Sequence, residues 1–122
     1  LATINDISKS VDPGTVVISK ANCGIPEFVD GSIVYSGTEE LMSQYVKIAM
    51  NSGAKIIGGC CGTSFDHVRA MRKAMDEHVV TSAPTLEEIE EKVGKMSEGS
   101  RSIFKGDDSK PKKQRRSRRS RT

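Results

Sequence analysis

Ile56-Ile57-Gly58-Gly59-Cys60-Cys61-Gly62-Thr63 is the stretch on which the fold turns. A β-branched apolar pair opens it, two glycines follow, and two adjacent cysteines stand just ahead of a helix start at Ser64. A buried strand that ends at a helix amino terminus is the junction at which α/β barrels carry their catalytic groups. Thiols at such a junction, flanked by glycines, point to a soft metal ion held at an open mouth rather than to a structural clip.

The flanking sequence supports alternation of strands and helices. Ala54–Gly58 reads as a strand, and the helix before it starts at Thr38, a capping residue followed by Glu39 and Glu40 in the first turn. Leu41, Tyr45, Ile48 and Ala49 share one face of that helix, and Gly53 ends it. After the cysteines, Ser64 caps a helix with Val68, Met71 and Met75 as its buried stripe. Pro84 and Thr85 open a further helix, with Thr85 and Glu88 at capping-box spacing and Leu86, Ile89, Val93 and Met96 on one face. Upstream, Leu1, Ile4 and Ile7 mark a helix over residues 1–10, closed by Asp12-Pro13-Gly14. Thr15–Ser19 is a β-branched strand, and Lys20–Pro26 is a loop. A long connection follows, with Gly31 and Gly37 as turn residues and a short extended piece at Ser32–Tyr35.

The predicted order is therefore α-β-α-β-α-α, an α/β chain whose crossover helices require parallel strands. Two parallel strands do not make a sheet buried on both faces. The expectation is that this sequence is the carboxyl-terminal part of something larger, with residues 1–96 belonging to its folded domain.

Composition bounds the setting. The 122 residues are 35% hydrophobic and contain no Trp. No apolar run is long enough to span a membrane, and residues 1–4 show no signal-peptide pattern. Three cysteines, two of them neighbours, fit a reducing compartment better than a disulfide framework, so a cytoplasmic location is expected. Lys and Arg number 19 against 16 Asp and Glu. Eight of the 19 fall in residues 109–122, which hold no acid, so residues 1–108 carry 11 basic and 16 acidic side chains, net −5. The chain is an acidic body with a basic end. Residues 97–109 read as a linker, and residues 109–122 have nothing apolar to bury and are expected to be disordered. Such a tail can bind RNA, DNA or anionic lipid through counterion release. It lacks interleaved aromatics, so a solubilising role is favoured and nucleic acid is not an expected partner.

Three segments resemble the homocysteine S-methyltransferase family: Lys20-Ala-Asn-Cys-Gly-Ile-Pro26, Gly37-Thr-Glu-Glu-Leu-Met42 and Gly53-Ala-Lys-Ile-Ile-Gly-Gly-Cys-Cys-Gly-Thr63. This is the family of betaine–homocysteine methyltransferases and of the homocysteine-binding module of methionine synthase. The resemblance covers residues 1–80, and the Gly-Gly-Cys-Cys-Gly-Thr run is its specific element. It implies a (β/α)₈ TIM barrel in which the two predicted strands are the seventh and eighth. It also implies Zn²⁺ as cofactor, and homocysteine and a small-molecule methyl donor, such as betaine, as partners. Cys60 and Cys61 match the family's paired metal ligands residue by residue.

The chemistry is coherent with those residues. A free thiol is mostly protonated at neutral pH, and binding to Zn²⁺ keeps it a thiolate. A catalytic zinc takes three protein ligands and leaves one position for substrate. The resemblance places the third cysteine in a Gly-x-Asn-Cys segment after the sixth strand, upstream of Leu1. Cys23 instead aligns with a loop after the seventh strand, often Asn-Ala-Gly in the family, and reads as a small residue packed near the mouth. Asn22 is a candidate substrate contact. No residue is assigned as a catalytic acid or base. His67 reads as a surface helix residue, His78 as a partner of a helix dipole, and Glu39, Glu40, Glu87 and Glu88 as solvated first-turn acids. Two other functions are open: a phosphate site in the loop after the second strand, and nucleic-acid binding through the tail.

Overall fold

The computed structural model describes residues 1–106, so the basic tail lies outside the described residues. Helix α1 spans Ala2–Ser10 and buries Ala2 and Asn5, while Leu1 and Ile4 pack against the core. Ile7, expected on the buried face, is turned outward and is 41% exposed. The Asp12-Pro13-Gly14 stop forms a turn in which the Thr15 amide donates to the Asp12 carbonyl at 2.9 Å.

Strand β1 runs Ile18–Ala21 and pairs in parallel with β4, Ile56–Gly59, in the register Ile18↔Ile56 through Ala21↔Gly59. Both strands begin two or three residues later than composition suggests, and β1 continues into the stretch expected as loop. The ladder decides this. The amides of Lys55 and Ile56 both donate to the Val17 carbonyl, so β-branched Val16 lies before any partner strand.

The connection after β1 holds a hairpin that the sequence reading did not pair. Strand β2, Pro26–Val29, lies antiparallel to β3, Ser32–Tyr35. Asp30 and Gly31 join them with φ of 47° and 82°, the left-handed conformations of a two-residue turn that matches strand twist. Only Ser32–Tyr35 was foreseen as extended.

Helix α2, Glu39–Asn51, starts where Thr38 Oγ1 accepts from the Leu41 amide at 3.1 Å. Met42, Tyr45, Val46, Ile48 and Ala49 are buried, a wider face than the expected stripe. The reason is that α2 packs against both α3, Phe65–Glu77, and α4, Leu86–Val93. Gly53 ends it in a left-handed conformation (φ 101°), pressed so closely to Ser8 of α1 that a side chain there would collide. In α3 the buried residues are Met71 and Ala74; Met75 is half-buried and Val68 is 52% exposed. The Thr85–Glu88 capping box is present in both directions, at 2.8 and 3.2 Å, and Ile89 of α4 is buried.

The stretch expected as linker from residue 97 opens with a helix, α5, Glu98–Lys105, which packs on α1. Ser97 caps it, and the Arg101 guanidinium grips the Glu90 carboxylate through two 2.7 Å bonds. Serine and charge that read as linker in one dimension supply a cap and a tertiary ion pair in three.

The core joins Cys23, Met42, Tyr45, Val46, Ala49, Ala54, Met71 and Ala74 on the helix side of the parallel pair. Ser19 points into it and meets the Tyr45 hydroxyl, so both buried hydroxyls are satisfied. Ile18 and its register partner Ile56 are more than half exposed. The two strands are thus covered on one face and bare on the other.

Candidate metal centre

The carboxyl ends of β1 and β4 lie side by side, and their exits are stitched together. The Cys60 amide donates to Ala21 at 2.8 Å, and the Cys23 amide donates to Cys61 at 2.9 Å. A tight turn then closes, with the Thr63 amide on the Cys60 carbonyl at 3.2 Å. The glycines have separate duties here. Gly59 leaves room for the Thr63 side chain, and Gly62 adopts φ 76° with Tyr35 where a Cβ would otherwise stand.

Cys60 and Cys61 are free and exposed, and their sulfurs lie 3.9 Å apart. They are the residues of this loop able to hold a soft metal ion. Cys23 does not join them. Its side chain is fully buried in the core against Gly37, and burial pushes its thiol pKa up. Among the described residues no group of three or more His, Cys, Asp or Glu side chains comes together to hold an ion.

Residues 1–75 match the family model described as homocysteine S-methyltransferase. The chain belongs to the homocysteine S-methyltransferase family. The match takes in both parallel strands, the hairpin and the cysteine loop, and leaves α4 and α5 beyond it. It makes this a methyltransferase-family chain, with homocysteine and a methyl donor as the substrates such membership implies.

Asn22 sits at the same sheet end as the cysteines, with its side chain at the surface and its carbonyl accepting from the Gly24 amide at 3.0 Å. His67 is not a plain surface residue. Its Nδ1 accepts from the Ser64 amide at 3.0 Å, which places the proton on Nε2, and Nε2 donates to the Gly37 carbonyl at 3.2 Å. The imidazole therefore ties the start of α3 to the turn before α2. His78 is also different from the expected dipole partner. Desolvation, then the charges of Lys47 and Lys92, lower its pKa, and its Nε2–H donates to Asn51 Oδ1 at 2.8 Å.

Tyr35 is the residue that sequence reasoning missed. It ends β3 opposite Pro26, and its ring covers Gly62 next to Cys61. The side chain of Cys61, then desolvation, then the charges that Cys61 and Cys60 can carry, raise the tyrosine pKa. The signal available was Asp30-Gly31, which folds the chain back onto the sheet end it has just left.

Among the described residues no helix is long and apolar enough to cross a membrane.

Proposed function

We propose that this chain carries part of the zinc site of an enzyme that methylates the homocysteine thiol to methionine, with Cys60 and Cys61 as two of three protein ligands. The sulfur separation carries this reading. Two thiolates on one tetrahedral zinc, each about 2.3 Å from it, lie about 3.8 Å apart, and Cys60 and Cys61 hold their sulfurs at 3.9 Å. They do so in the reduced form, at the surface, and at the sheet end where barrels carry their chemistry.

The third ligand comes from outside the described residues, in the same barrel, where β1 and β4 serve as the seventh and eighth strands. The bare face at Ile18 and Ile56 supports that placement, because barrel strands are covered on both sides. The methyl donor is betaine or a related onium compound, with S-methylmethionine and methylcobalamin as the next choices. A reducing cytoplasmic setting suits free vicinal thiols.

Zinc bound at this site supplies a Lewis acid that keeps the homocysteine sulfur deprotonated at neutral pH. The chain's own residues set the geometry. Bonds from Cys60 to Ala21 and from Cys23 to Cys61 fix the main chain of the loop to both strands, so the backbone that carries the two sulfurs is held in place before an ion arrives. Cys60, Cys61 and Gly62 are all exposed, so the loop faces solvent. Asn22, exposed at the same sheet end, is the candidate contact for the polar end of the substrate.

A phosphate at the same loop is less well supported. The first turn of α3 already carries Asp66, and the imidazole of His67 occupies the Ser64 amide. In the full-length protein, Cys60→Ala and Cys61→Ala should each lose zinc and methionine formation together. Zinc-dependent methionine formation retained in both variants contradicts the proposal.

A further inference from the structure

We propose that His67 is a positioning residue of the cysteine loop, whose imidazole closes a circuit of hydrogen bonds holding the main chain of that loop against the exit of β1. This rests on the reading of Cys60 and Cys61 as metal ligands.

The chain leaves β1 through Cys23, whose amide donates to the Cys61 carbonyl at 2.9 Å. It runs out through the hairpin and returns at Gly37, whose amide donates to the Cys23 carbonyl at 3.0 Å. The two segments cross so closely that a side chain at Gly37 would collide with the main chain and the sulfur of Cys23. The Gly37 carbonyl in turn accepts from His67 Nε2 at 3.2 Å. On the other side of the imidazole, Nδ1 accepts from the Ser64 amide at 3.0 Å, with the Ser64 hydroxyl oxygen 2.8 Å from the same nitrogen. Ser64 stands just past the cysteine loop, so the circuit closes on the segment where it began.

Every link but those of His67 joins main chain to main chain. A carbonyl only accepts and an amide only donates, so the closing group must donate on one side and accept on the other. Neutral imidazole with its proton on Nε2 is such a group. Its two nitrogens have separate duties. Nδ1 serves the amino terminus of α3, a task that Glu or Gln performs at the same position in an ordinary capping box. Nε2 reaches out of the helix to a residue 30 positions earlier. This second bond pins Gly37, and through it the Cys23 main chain to which Cys61 is tied. It also seats the hairpin, whose Tyr35 ring lies on Gly62. The backbone beneath both sulfurs is thereby fastened from two directions, and less ordering remains when a metal ion binds.

Asn and Gln separate the two nitrogens in the full-length protein. His67→Asn places an amide oxygen where Nδ1 stood and is too short to reach Gly37, whereas His67→Gln can place an amide nitrogen where Nε2 stood. With Co²⁺ as the probe, the sulfur-to-metal charge-transfer band should shift in His67→Asn, and competition with a chelator should show Zn²⁺ bound about tenfold more weakly. Amide hydrogen exchange over residues 24–37 of the metal-free protein should quicken in the same variant. His67→Gln should bring band, affinity and exchange back towards the unsubstituted values. A role confined to capping α3 would instead spare His67→Asn. Band and Zn²⁺ affinity unchanged in His67→Asn, or altered equally in both variants, overturn the positioning role and leave the cysteine ligands standing. If Cys61→Ser also leaves band and affinity unchanged, the ligand assignment itself falls and takes this proposal with it.

Discussion

The backbone amide of Cys23 donates to the carbonyl of Cys61 at 2.9 Å, yet the two side chains go opposite ways. The thiol of Cys23 is fully buried in the core and that of Cys61 is exposed at the sheet end. Main chain thus couples the two loops while chemistry divides them. Cys23→Ala in the full-length protein should keep its full zinc content, because only a side chain is removed. Stability should fall by about 1 kcal/mol for the small cavity left in the core. Metal analysis and denaturant unfolding check this. Loss of one equivalent of zinc would make Cys23 a ligand after all.

Gly62 turns at φ 76° directly beneath the Tyr35 ring. Alanine there meets backbone strain and a steric collision at once, so Gly62→Ala should cost about 1–3 kcal/mol. Chemical denaturation of the full-length protein measures the loss. A neutral substitution would show that the ring and the cysteine loop are not fitted to one another.

Ser19 and Tyr45 share the hydrogen bond that joins the parallel strands to α2. Burial pushes the Tyr45 hydroxyl pKa up, so it stays protonated at any physiological pH. Tyr45→Phe leaves the buried Ser19 hydroxyl without that partner and should cost about 1–3 kcal/mol. Ser19→Ala together with Tyr45→Phe should cost less than the sum of the two single changes, because the second removes the orphan created by the first. Equal additivity would mean that the pair is not coupled.

His78 supplies a pH dependence. Its folded pKa is lowered from the ordinary 6.5, first by desolvation and then by Lys47 and Lys92. The unfolded chain therefore binds the proton more readily than the folded one. The contribution of neutral His78 is fully present above about pH 6.5 and is lost as pH falls through the lowered folded value. Melting temperature followed from pH 8 downward should show this decline, and His78→Gln should flatten it in the same range. An unchanged pH profile in that variant would assign the decline to other groups.

Several of these features were legible in the sequence because they are local. Thr38, Ser64 and the Thr85–Glu88 pair name their helix starts by themselves, and the cysteine pair declares its chemistry by residue type. The strands were recognisable, but their ends depend on where a partner strand begins. Val17 and Lys55 meet only in the fold. Met42 and Val46 were missed because α2 is buried on two sides, which broadens the apolar face beyond one helical stripe. Helix α5 was hidden for a related reason. Its stabilising contacts are with α1 and, through Arg101, with Glu90, eleven residues away. Tyr35 was hidden because its role depends on two turns at once, at Asp30-Gly31 and at Gly62.

The ligand assignment is tested most directly by zinc X-ray absorption on the full-length protein. The account predicts sulfur neighbours at about 2.3 Å, one fewer in Cys60→Ser and one fewer in Cys61→Ser, and one more when homocysteine is added to the unsubstituted protein. A sulfur count that is the same in all three proteins would contradict it.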